Sequence, residues 1–567
     1  MKRSVDGGEA LLEAFRATGA DYVFCCSGSE WAPVWEAVVR RRLDGEPGPQ
    51  YLDLWHETVA VGMATGYGLV TRRSQPVLLH AGAGLLQGSC AIQGALLANV
   101  PMVVFSSESI TYGERPGQDP GSQWYRNLSI VGGPHHLVSG VFKWANQAPT
   151  IETLFEMVLR TTEISERAPA GPCYLNVPVE VLLDPWKPLA GRRTLPPPGR
   201  KVSPPQEIEQ LADRLCQATN PVVLVETAGR DAAAYRALVE LCDLLAIPVI
   251  ESQGAVSSNF PRSHPMHLGS SSEPFHKTAD LVLLVNCRAP WYPPSGWPPG
   301  ATTVVIDEVP QRPYVVYQVL HADQYLEGAV ADTLVNTVAA LKQRTLPAAA
   351  IAERRARITA VHDQLIAAQD EAERKAAAAA GPIDAVRLVM ELRTLCADDT
   401  VFVDETITHS RVLQQHLRLD RPDSYYYVQG GLGQGIAVAL GVKLAAKRRP
   451  VVLTVGDGSY LYNPVIPSLA AAKNLQLPLL IVIFNNRQYL SMKFNHLRAY
   501  PDGAAVATKQ FPGTDLSAQP DLAAFAAPFD MFGVTVSDAA ELHPALAAAA
   551  AAVADGRTAI VNVMLGK

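Results

Sequence analysis

The chain has 567 residues, enough for about three or four domains of ordinary size. Its composition is 48% hydrophobic and 18% charged, so a large packed core is easily supplied. The formal net charge of −7 argues against a general nucleic-acid-binding protein, because phosphate binding requires a basic face.

The first residues, MKRSVDGGEALLEAF, predict an amphipathic helix and contain no apolar segment typical of a signal peptide. No apolar run approaches the roughly 18 residues that a membrane span needs. The eight cysteines are scattered and form no Cys-x-x-Cys pair, which argues against a disulfide scaffold or a zinc site. We therefore expect a cytoplasmic protein that binds neither a membrane nor nucleic acid.

Two changes in composition divide the chain into three blocks. Residues 184–205 contain seven prolines and predict a stiff surface linker. Near 343–382, a helix rich in Ala, Glu and Arg leads to Gly381-Pro382, which is typical of a helix end. These boundaries predict domains at 1–184, 200–345 and 380–567.

Short Val/Ile/Leu-rich runs alternate with segments of helical period inside each block. The predicted strands are DYVFCC, PVLLHA, PMVVFSS and CYLNVPV, then PVVLVE, IPVIES, DLVLLVN and TTVVIDE, then TVFVDE, PVVLTV, PLLIVIFNN and TAIVNVML. Continuous apolar strands between helices favour parallel sheets covered on both faces. The predicted fold class is α/β, with three doubly wound parallel-sheet domains that bind ligands beyond the carboxyl ends of their strands.

Polar residues follow two of these strands in the third block. Gly456-Asp457-Gly458-Ser459 follows one strand, and Asn485-Asn486 follows the next. Alone, the first segment is typical of a turn and the second of a loop. Together, a carboxylate and an amide oxygen suit Mg²⁺, which also takes ligands from water and from a substrate's or cofactor's phosphates. The glycines would let backbone N–H groups approach a phosphate closely.

The GDG and NN segments, spaced by some two dozen residues, resemble the signature of thiamine-diphosphate-dependent enzymes. Three further segments extend the resemblance over nearly the whole chain: SYYYVQGGLGQGIAVALGVKLA, VLLHAGAGLLQGSCAIQGAL and GPCYLNVPVEV. They are similar to the superfamily of benzoylformate decarboxylase, acetolactate synthase and benzaldehyde lyase, and the local match is closest to the first of these. The resemblance implies PYR, central and PP domains in that order, with thiamine diphosphate and Mg²⁺ as cofactors.

The resemblance also implies roles for residues of the third block. Asp457 and Asn486 would bind Mg²⁺ through their side chains, and Gln488 through its backbone carbonyl. Thr408 and Ser459 would contact the diphosphate.

Three more residues would contact the cofactor. Gly458 would lie against the diphosphate, and Gly430 would accept a hydrogen bond from the 4′-amino group. Leu432 would hold the cofactor in its V shape.

Glu57 lies near the start of a segment of helical period, LWHETVAVGMATGYG. By position alone it is typical of an acid favoured by the helix dipole. The resemblance implies instead the activating glutamate, which shares a proton with N1′ of the aminopyrimidine and thereby promotes formation of the C2 ylid. It further implies a homodimer or homotetramer with active sites at the subunit interface.

His80 and Ser29 each follow a predicted strand. Either residue could be structural, Ser29 as a turn serine beside Gly28. The resemblance implies that His80 transfers a proton on the covalent intermediate, and that Ser29 contacts the substrate carboxylate.

Three features depart from the family pattern. The position of a second active-site histidine, within residues 285–297, carries a proline. Ser491, Met492 and Asn495 would line a pocket more polar than a purely aromatic substrate requires. The stretch 114–136 is longer than the family's loop, and it either reshapes the pocket or extends a surface.

The main hypothesis is thiamine-diphosphate- and Mg²⁺-dependent decarboxylation of a 2-oxo acid through an ylid and an enamine. The alternative is a carboligase that joins the donor to an aldehyde or ketone and forms a 2-hydroxyketone or acetohydroxy acid. The missing second histidine favours the carboligase, and His80 with the GGLG segment favours the decarboxylase. An inactive binding homologue and a flavin-linked oxidase are further alternatives.

Overall fold

The computed structural model describes residues 5–130, 132–188, 191, 194–252, 254–275, 277–293, 295–296, 298–315, 322–379 and 381–566. The chain forms three sheets in which all strand pairs are parallel, which confirms the predicted fold class. It divides into two compact units. The first comprises Met1–Gly199, Val428–Arg448 and Leu461–Leu477, and the second comprises Arg200–Tyr427, Arg449–Tyr460 and Pro478–Lys567.

The first unit contains a six-stranded sheet. Its strands are β1 (Tyr22–Cys26), β2 (Gln50–Leu54), β3 (Pro76–Leu78), β4 (Met102–Ser106), β5 (Trp144–Gln147) and β6 (Pro172–Asn176), and they are arranged in the order β2-β1-β3-β4-β6-β5. Its helices are α1 (Gly7–Ala17), α2 (Ala32–Asp44), α3 (Glu57–Thr71), α4 (Ala83–Leu97), α5 (Pro134–Val138), α6 (Ile151–Glu166), α7 (Val179–Leu183), α14 (Gly435–Ala446) and α16 (Val465–Asn474). Helix α1 is the predicted N-terminal helix, and Asp6 caps it by accepting a hydrogen bond from the Gly8 N–H.

Helices α3 and α14 pack closely because small residues face each other. A Cβ atom on Gly66 would lie 2.0 Å from the carbonyl oxygen of Val438, and one on Gly441 would lie 2.0 Å from that of Met63. Any side chain at these two positions would clash with the facing helix, so this close packing is possible only with glycine. The pairing fixes the start of α14, and with it the GGLG segment, within the first unit.

The second unit contains two sheets, of which the first has five strands. These are β7 (Pro221–Val225), β8 (Val249–Glu251), β9 (Leu281–Val285), β10 (Thr302–Asp307) and β11 (Gln324–Glu327), in the order β11-β10-β9-β7-β8. The helices in this part of the chain are α8 (Pro205–Gln217), α9 (Ala232–Leu245), α10 (Val330–Lys342) and α11 (Ala348–Ala378). Helix α11 is the predicted Ala-, Glu- and Arg-rich helix.

The other sheet of the second unit has six strands. These are β12 (Val401–Glu405), β13 (Tyr425–Tyr427), β14 (Val451–Gly456), β15 (Leu480–Asn485), β16 (Phe532–Val536) and β17 (Ala559–Met564), in the order β13-β12-β14-β15-β17-β16. The remaining helices are α12 (Ala385–Leu395), α13 (Ser410–His416), α15 (Asp457–Tyr462), α17 (Leu490–Ala499), α18 (Ala504–Thr508) and α19 (Leu542–Ala554). Short helical turns occur at Ser29–Trp31, Trp124–Leu128, Ala228–Arg230, Glu273–Phe275 and Leu522–Phe529.

Each of the twelve predicted strands is present, and five strands were not predicted: β2, β5, β11, β13 and β16. All eight cysteines are free, and Cys25 and Cys26 are buried. Within the described ranges, no helix has both the length and the apolar character needed to cross a bilayer.

Candidate active site

Glu57 is the first residue of α3, as the sequence pattern predicts. His56 precedes it as the N-cap, and its Nδ1 accepts a hydrogen bond of 3.1 Å from the Thr58 N–H. The carboxylate lies beside Cys26 at the end of β1, where burial and then the Glu57 charge raise the pKa of the Cys26 thiol. A Cβ atom on Gly84 would lie 3.0 Å from Glu57 Oε1, so the start of α4 also faces this carboxylate.

His80 is held by a carboxylate that the sequence pattern did not single out. Its Nδ1 lies 2.9 Å from both carboxylate oxygens of Glu30, and the Ala81 N–H donates to Glu30 Oε1 at 2.7 Å. The Glu30 side chain is fully buried, whereas His80 is 26% exposed. The hydrogen bond from His80 to Glu30 raises the pKa of the imidazole. A proton on Nδ1 leaves Nε2 available for chemistry, as in other carboxylate–histidine pairs.

Ser29 is exposed at the start of the turn that follows β1, and a residue of the long stretch 114–136 contacts it. Gln123 Nε2 donates a 2.8 Å hydrogen bond to Ser29 Oγ. The neighbouring Trp124 is buried, and its indole N–H donates to the Pro120 carbonyl. Val131, within the same stretch, lies outside the described residues. The contact supports the first of the two interpretations of this stretch, namely that it helps to shape the surroundings of Ser29.

The GGLG segment requires glycine at two positions, because each has a positive φ and packs closely against a different neighbour. Gly430 has φ +90°, and a Cβ atom there would lie 2.2 Å from Gly94 Cα in α4. Gly433 also has φ +90°, and its Cβ would lie 2.6 Å from the Tyr462 carbonyl oxygen. Leu432, between them, is half-buried. Close backbone packing therefore accounts for the glycines, and Leu432 is the large side chain that the segment presents.

In the second unit, Asp457 and Asn486 follow neighbouring strands, as predicted. Strands β14 and β15 pair in parallel, with Gly456 opposite Phe484. Both polar side chains are buried. Burial raises the pKa of Asp457 to about 6, although hydrogen bonds from backbone N–H groups and from Gln519 oppose this shift. The hydrogen bonds to Asp457 offset only part of the cost of burying its charge, so a bound cation would stabilise the carboxylate.

Gln519 links the two strand ends. Its Nε2 donates to Asn485 Oδ1 at 2.7 Å and reaches Asp457 Oδ2 at 3.5 Å. Asn485 is fixed from its other side, because its Nδ2 donates to Asn562 Oδ1 at 2.9 Å. The Gln519 Oε1 atom is buried and has no hydrogen-bond partner among the described residues.

The oxygen atoms at this edge fit Mg²⁺. Asn486 Oδ1 accepts one hydrogen bond, from the Gln488 N–H, and the Gln488 carbonyl accepts one, from the Leu490 N–H. Each oxygen has two lone pairs, so each keeps one for a metal. Among the described residues, no three His, Cys, Asp or Glu side chains converge as a metal cage. One carboxylate with neutral oxygens matches the preference of Mg²⁺ for ligands that include phosphate and water.

Gly458, the second glycine of the GDGS segment, packs against an aromatic ring, whereas the sequence pattern predicts that it lies against a diphosphate. A Cβ atom on Gly458 would lie 2.5 Å from the ring of Tyr489. Packing against this tyrosine is sufficient to require glycine, so space for a diphosphate at Gly458 stays a prediction. Ser459 is buried in the first turn of α15.

Thr408 lies in a strained loop between β12 and α13. Its N–H donates to the Thr406 carbonyl at 2.7 Å, and Ile407 between them has φ +59°. This is a γ-turn, and a positive φ at a β-branched residue is costly. The buried carboxylate of Asp404 holds the loop by accepting bonds from the Thr406 N–H and hydroxyl at 2.8 and 2.7 Å. Such strain persists where the surroundings enforce it, often at a functional site.

The predicted substrate-pocket residues all lie on α17, which has no buried residue. Ser491 is half-buried, and Met492 is 49% exposed. Asn495 is exposed, and its Oδ1 accepts a hydrogen bond from Arg498.

Three residues at these sites were missed from the sequence: Glu30, Gln123 and Gln519. Glu30 had a usable signal, because it lies one residue after Ser29 at a strand end. Gln123 and Gln519 had none, since each contacts its partner over a long separation in sequence.

Models of three thiamine pyrophosphate enzyme domains match the chain in order. The N-terminal thiamine pyrophosphate-binding domain matches residues 5–127, the central domain 208–334, and the C-terminal thiamine pyrophosphate-binding domain 406–563. The chain therefore belongs to the thiamine pyrophosphate enzymes, and it is an enzyme that depends on thiamine diphosphate.

The chain is similar to several curated members of this family. It is 26% identical over 527 residues to benzoylformate decarboxylase of Pseudomonas aeruginosa, with 90% of this chain and 91% of that protein covered. It is 27% identical over 506 residues to the probable 2-ketoarginine decarboxylase AruI of the same organism, covering 86% and 83%. It is 24% identical over 570 residues to the acetolactate synthase large subunit of Parasynechococcus marenigrum, covering 96% and 86%.

Solved structures share the fold. Benzoylformate decarboxylase from Polynucleobacter necessarius superimposes with a TM-score of 0.78 at 19% identity, covering 99% of this chain and 98% of that one. The thiamine diphosphate-dependent 4-hydroxybenzoylformate decarboxylase of Rhodococcus jostii RHA1 gives 0.78 at 22% identity, covering 99% of each chain. At these identities the likeness shows the fold alone.

Proposed function

We propose that this enzyme decarboxylates a 2-oxo acid and releases an aldehyde, using thiamine diphosphate and Mg²⁺. The pair formed by His80 and Glu30 is the observation that favours decarboxylation over the alternative reaction. A histidine whose Nδ1 is 2.9 Å from a buried carboxylate has a fixed orientation and a raised pKa, as a proton donor requires.

The predicted residues of the cofactor site each have a role in this proposal. Asp457, Asn486 and the Gln488 carbonyl hold Mg²⁺. The diphosphate is bound by Thr408 and by the backbone around Gly458 and Ser459, while Gly430 and Leu432 position the aminopyrimidine end. The bound cofactor supplies a carbon nucleophile and an electron sink.

The first unit supplies the proton chemistry. Glu57 shares a proton with N1′ of the aminopyrimidine. Gln123 donates to Ser29 Oγ, which leaves the Ser29 hydroxyl proton to hydrogen-bond the substrate carboxylate. His80 Nε2 delivers the proton that the product carbon needs. The substrate side chain is bound by Ser491, Met492 and Asn495.

We propose that residues 1–184 carry the activating glutamate, 200–345 form the central domain, and 380–567 bind the diphosphate and Mg²⁺. The active protein is then a homodimer or homotetramer whose active sites lie at subunit interfaces. The eight free cysteines support a reducing compartment such as the cytoplasm.

A carboligase that forms a 2-hydroxyketone or acetohydroxy acid is the second candidate. The proline within 285–297 supports it, because without a second histidine the donor-derived carbon would be protonated more slowly, which would favour its transfer to an acceptor aldehyde or ketone. Pro294 and Trp297 of this segment lie outside the described residues.

One experiment separates the two candidates. The protein is incubated with thiamine diphosphate, Mg²⁺ and a panel of 2-oxo acids that includes benzoylformate, 2-ketoarginine and pyruvate, with and without acceptor aldehydes. We expect CO₂ and a free aldehyde. A 2-hydroxyketone product would establish the carboligase instead, and no turnover of any donor would contradict both.

The role of Glu57 is tested by Glu57→Gln, with Glu36→Gln as the matched control. Glu36 is an exposed acid paired with Arg40, and such surface pairs contribute about 0–1 kcal/mol. We expect Glu57→Gln to lose turnover and to retain thiamine diphosphate binding, while Glu36→Gln keeps both. A fully active Glu57→Gln variant would show that this carboxylate does not activate the cofactor.

A further inference from the structure

A cavity of about 210 Å³ in the second unit has no role in the proposed reaction. Its wall is built from the end of β8, from residues 262–270, from α11, and from α13 together with Arg418. Its polar lining residues include Arg262, His267, Gln369, Arg411, Gln415 and Arg418.

The charges at the inner end of the cavity cancel. Glu251 is 2% exposed, and its Oε2 lies 2.5 Å from Arg262 Nη2 and 3.3 Å from His267 Nε2. Burial raises the pKa of Glu251, but Arg262 and His267 more than offset this, so the pKa is below its ordinary value. Burial lowers the pKa of His267. The inner end thus holds one anion, one cation and a neutral imidazole.

The outer part of the wall carries the unbalanced charge. Arg411 is exposed, and among the described residues it forms no ion pair. Arg418 Nη2 contacts Asp370 and lies 3.0 Å from Glu373. These two acids do not line the cavity. Glu373 also pairs with Arg393 and His416. Burial alone would raise the pKa of Glu373, but these cationic partners outweigh burial and lower its pKa to about 2.

Neutral hydrogen-bond donors complete the outer wall. Gln369 of α11 and Gln415 of α13 line the cavity together with Ser270. A guanidinium with amide and hydroxyl donors is the usual set for a carboxylate or phosphate group. The volume is below the ~300–1,000 Å³ of pockets for drug-sized ligands, so the cavity suits a small molecule and excludes a dinucleotide.

We propose that this cavity binds a small molecule bearing a carboxylate or phosphate group, with Arg411 as the principal charged contact. None of the residues that line it is assigned to the reaction, so we expect the ligand to act as an effector and not as a substrate.

The cavity is connected to the loop that carries Thr408. Helix α13 begins at Ser410, directly after the γ-turn at Ile407, and Arg411 and Gln415 lie on that helix. A ligand that fixes α13 also restricts the loop before it, so thiamine diphosphate binding then loses less conformational entropy in ordering that loop. We expect the effector to tighten thiamine diphosphate binding, an expectation that rests on the proposed role of Thr408.

Binding is tested by calorimetric titration of the full chain without thiamine diphosphate. The probes are malonate, inorganic phosphate and, as the uncharged control, malonamide. Arg411→Gln is compared with Arg421→Gln, which removes an exposed arginine outside the cavity. We expect an anion to bind and malonamide not to bind, with Arg411→Gln weakening the anion about tenfold and Arg421→Gln leaving it unchanged.

The relative affinity of malonate and phosphate identifies the ligand group. Absence of binding by both anions, or equal binding by the wild type and Arg411→Gln, would overturn the site. This titration needs no turnover, so a failure of the proposed reaction leaves its result standing.

The effect on the loop is tested by the dissociation constant of thiamine diphosphate with and without the tighter anion. We expect tighter binding in the wild type and no effect in Arg411→Gln, and thiamine diphosphate must tighten the anion by the same factor. An unchanged constant in the wild type would reject an effector role and leave only a binding site.

Discussion

The amide of Gln519 approaches the proposed metal ligand Asp457 and fixes Asn485, the residue before the proposed ligand Asn486. We therefore predict that Gln519→Ala weakens Mg²⁺ binding. The substitution removes a 2.7 Å hydrogen bond to Asn485 and the 3.5 Å approach to Asp457. The shorter bond alone is worth about 0.5–1.5 kcal/mol. Loss of a partner that orients metal ligands typically lowers metal affinity about 10–100-fold, or about 1.4–2.8 kcal/mol.

The assay is a titration with Mg²⁺ at saturating thiamine diphosphate, followed by intrinsic fluorescence or calorimetry. Gln510→Ala is the matched control, because Gln510 is an exposed glutamine of the same unit. We expect a rise of the Mg²⁺ dissociation constant of about 10–100-fold for Gln519→Ala and none for the control. A constant within twofold of the wild type, in a variant with an unchanged thermal midpoint, would refute the reasoning.

Three further predictions follow from contacts in the two units. Glu30→Gln keeps a hydrogen-bond acceptor for His80 but removes the carboxylate charge, which weakens the interaction that raises the pKa of His80. The pKa should fall, so His80 loses its proton at lower pH and the alkaline limb of kcat/KM moves to lower pH. An unmoved limb would exclude His80 as the proton donor. Gly66→Ala places a Cβ 2.0 Å from the carbonyl oxygen of Val438 and should lower the free energy of unfolding by about 1–3 kcal/mol. Chemical denaturation should show this as a lower midpoint. A wild-type midpoint would show that α3 and α14 separate easily. Ile407→Gly relieves about 1–3 kcal/mol of backbone strain and loosens the loop, so thiamine diphosphate should bind more weakly without a loss of thermal stability; tighter binding would contradict this.

The strands that the sequence did not reveal have a common position. All five lie at sheet edges: β2 and β5 in the first sheet, β11 in the second, and β13 and β16 in the third. An edge strand has one neighbour and is less covered, so it needs no continuous apolar run. The segments QYLDL of β2 and WANQ of β5 show this, with exposed or half-buried polar residues among few apolar ones.

The positions of candidate site residues could be predicted from the sequence where they depend on short segments. Asp457 and Asn486 follow adjacent strands, and parallel pairing fixes them at one edge whatever the rest of the chain does. Glu57 likewise begins a helix. Gln519 and Gln123 could not be found in this way, because a single amide carries no local pattern and its partner is decided only by tertiary packing.

The first unit is assembled from three separate stretches of chain, and this governs how the protein can be cut. From the sequence alone, proteolysis in the exposed, proline-rich linker 184–205 is expected to release an independent N-terminal fragment. Such a fragment would lack α14, which covers the glycine-rich face of α3. Cleavage in the linker should therefore yield a nicked protein whose pieces stay associated, and an N-terminal fragment produced alone should aggregate through the uncovered helix.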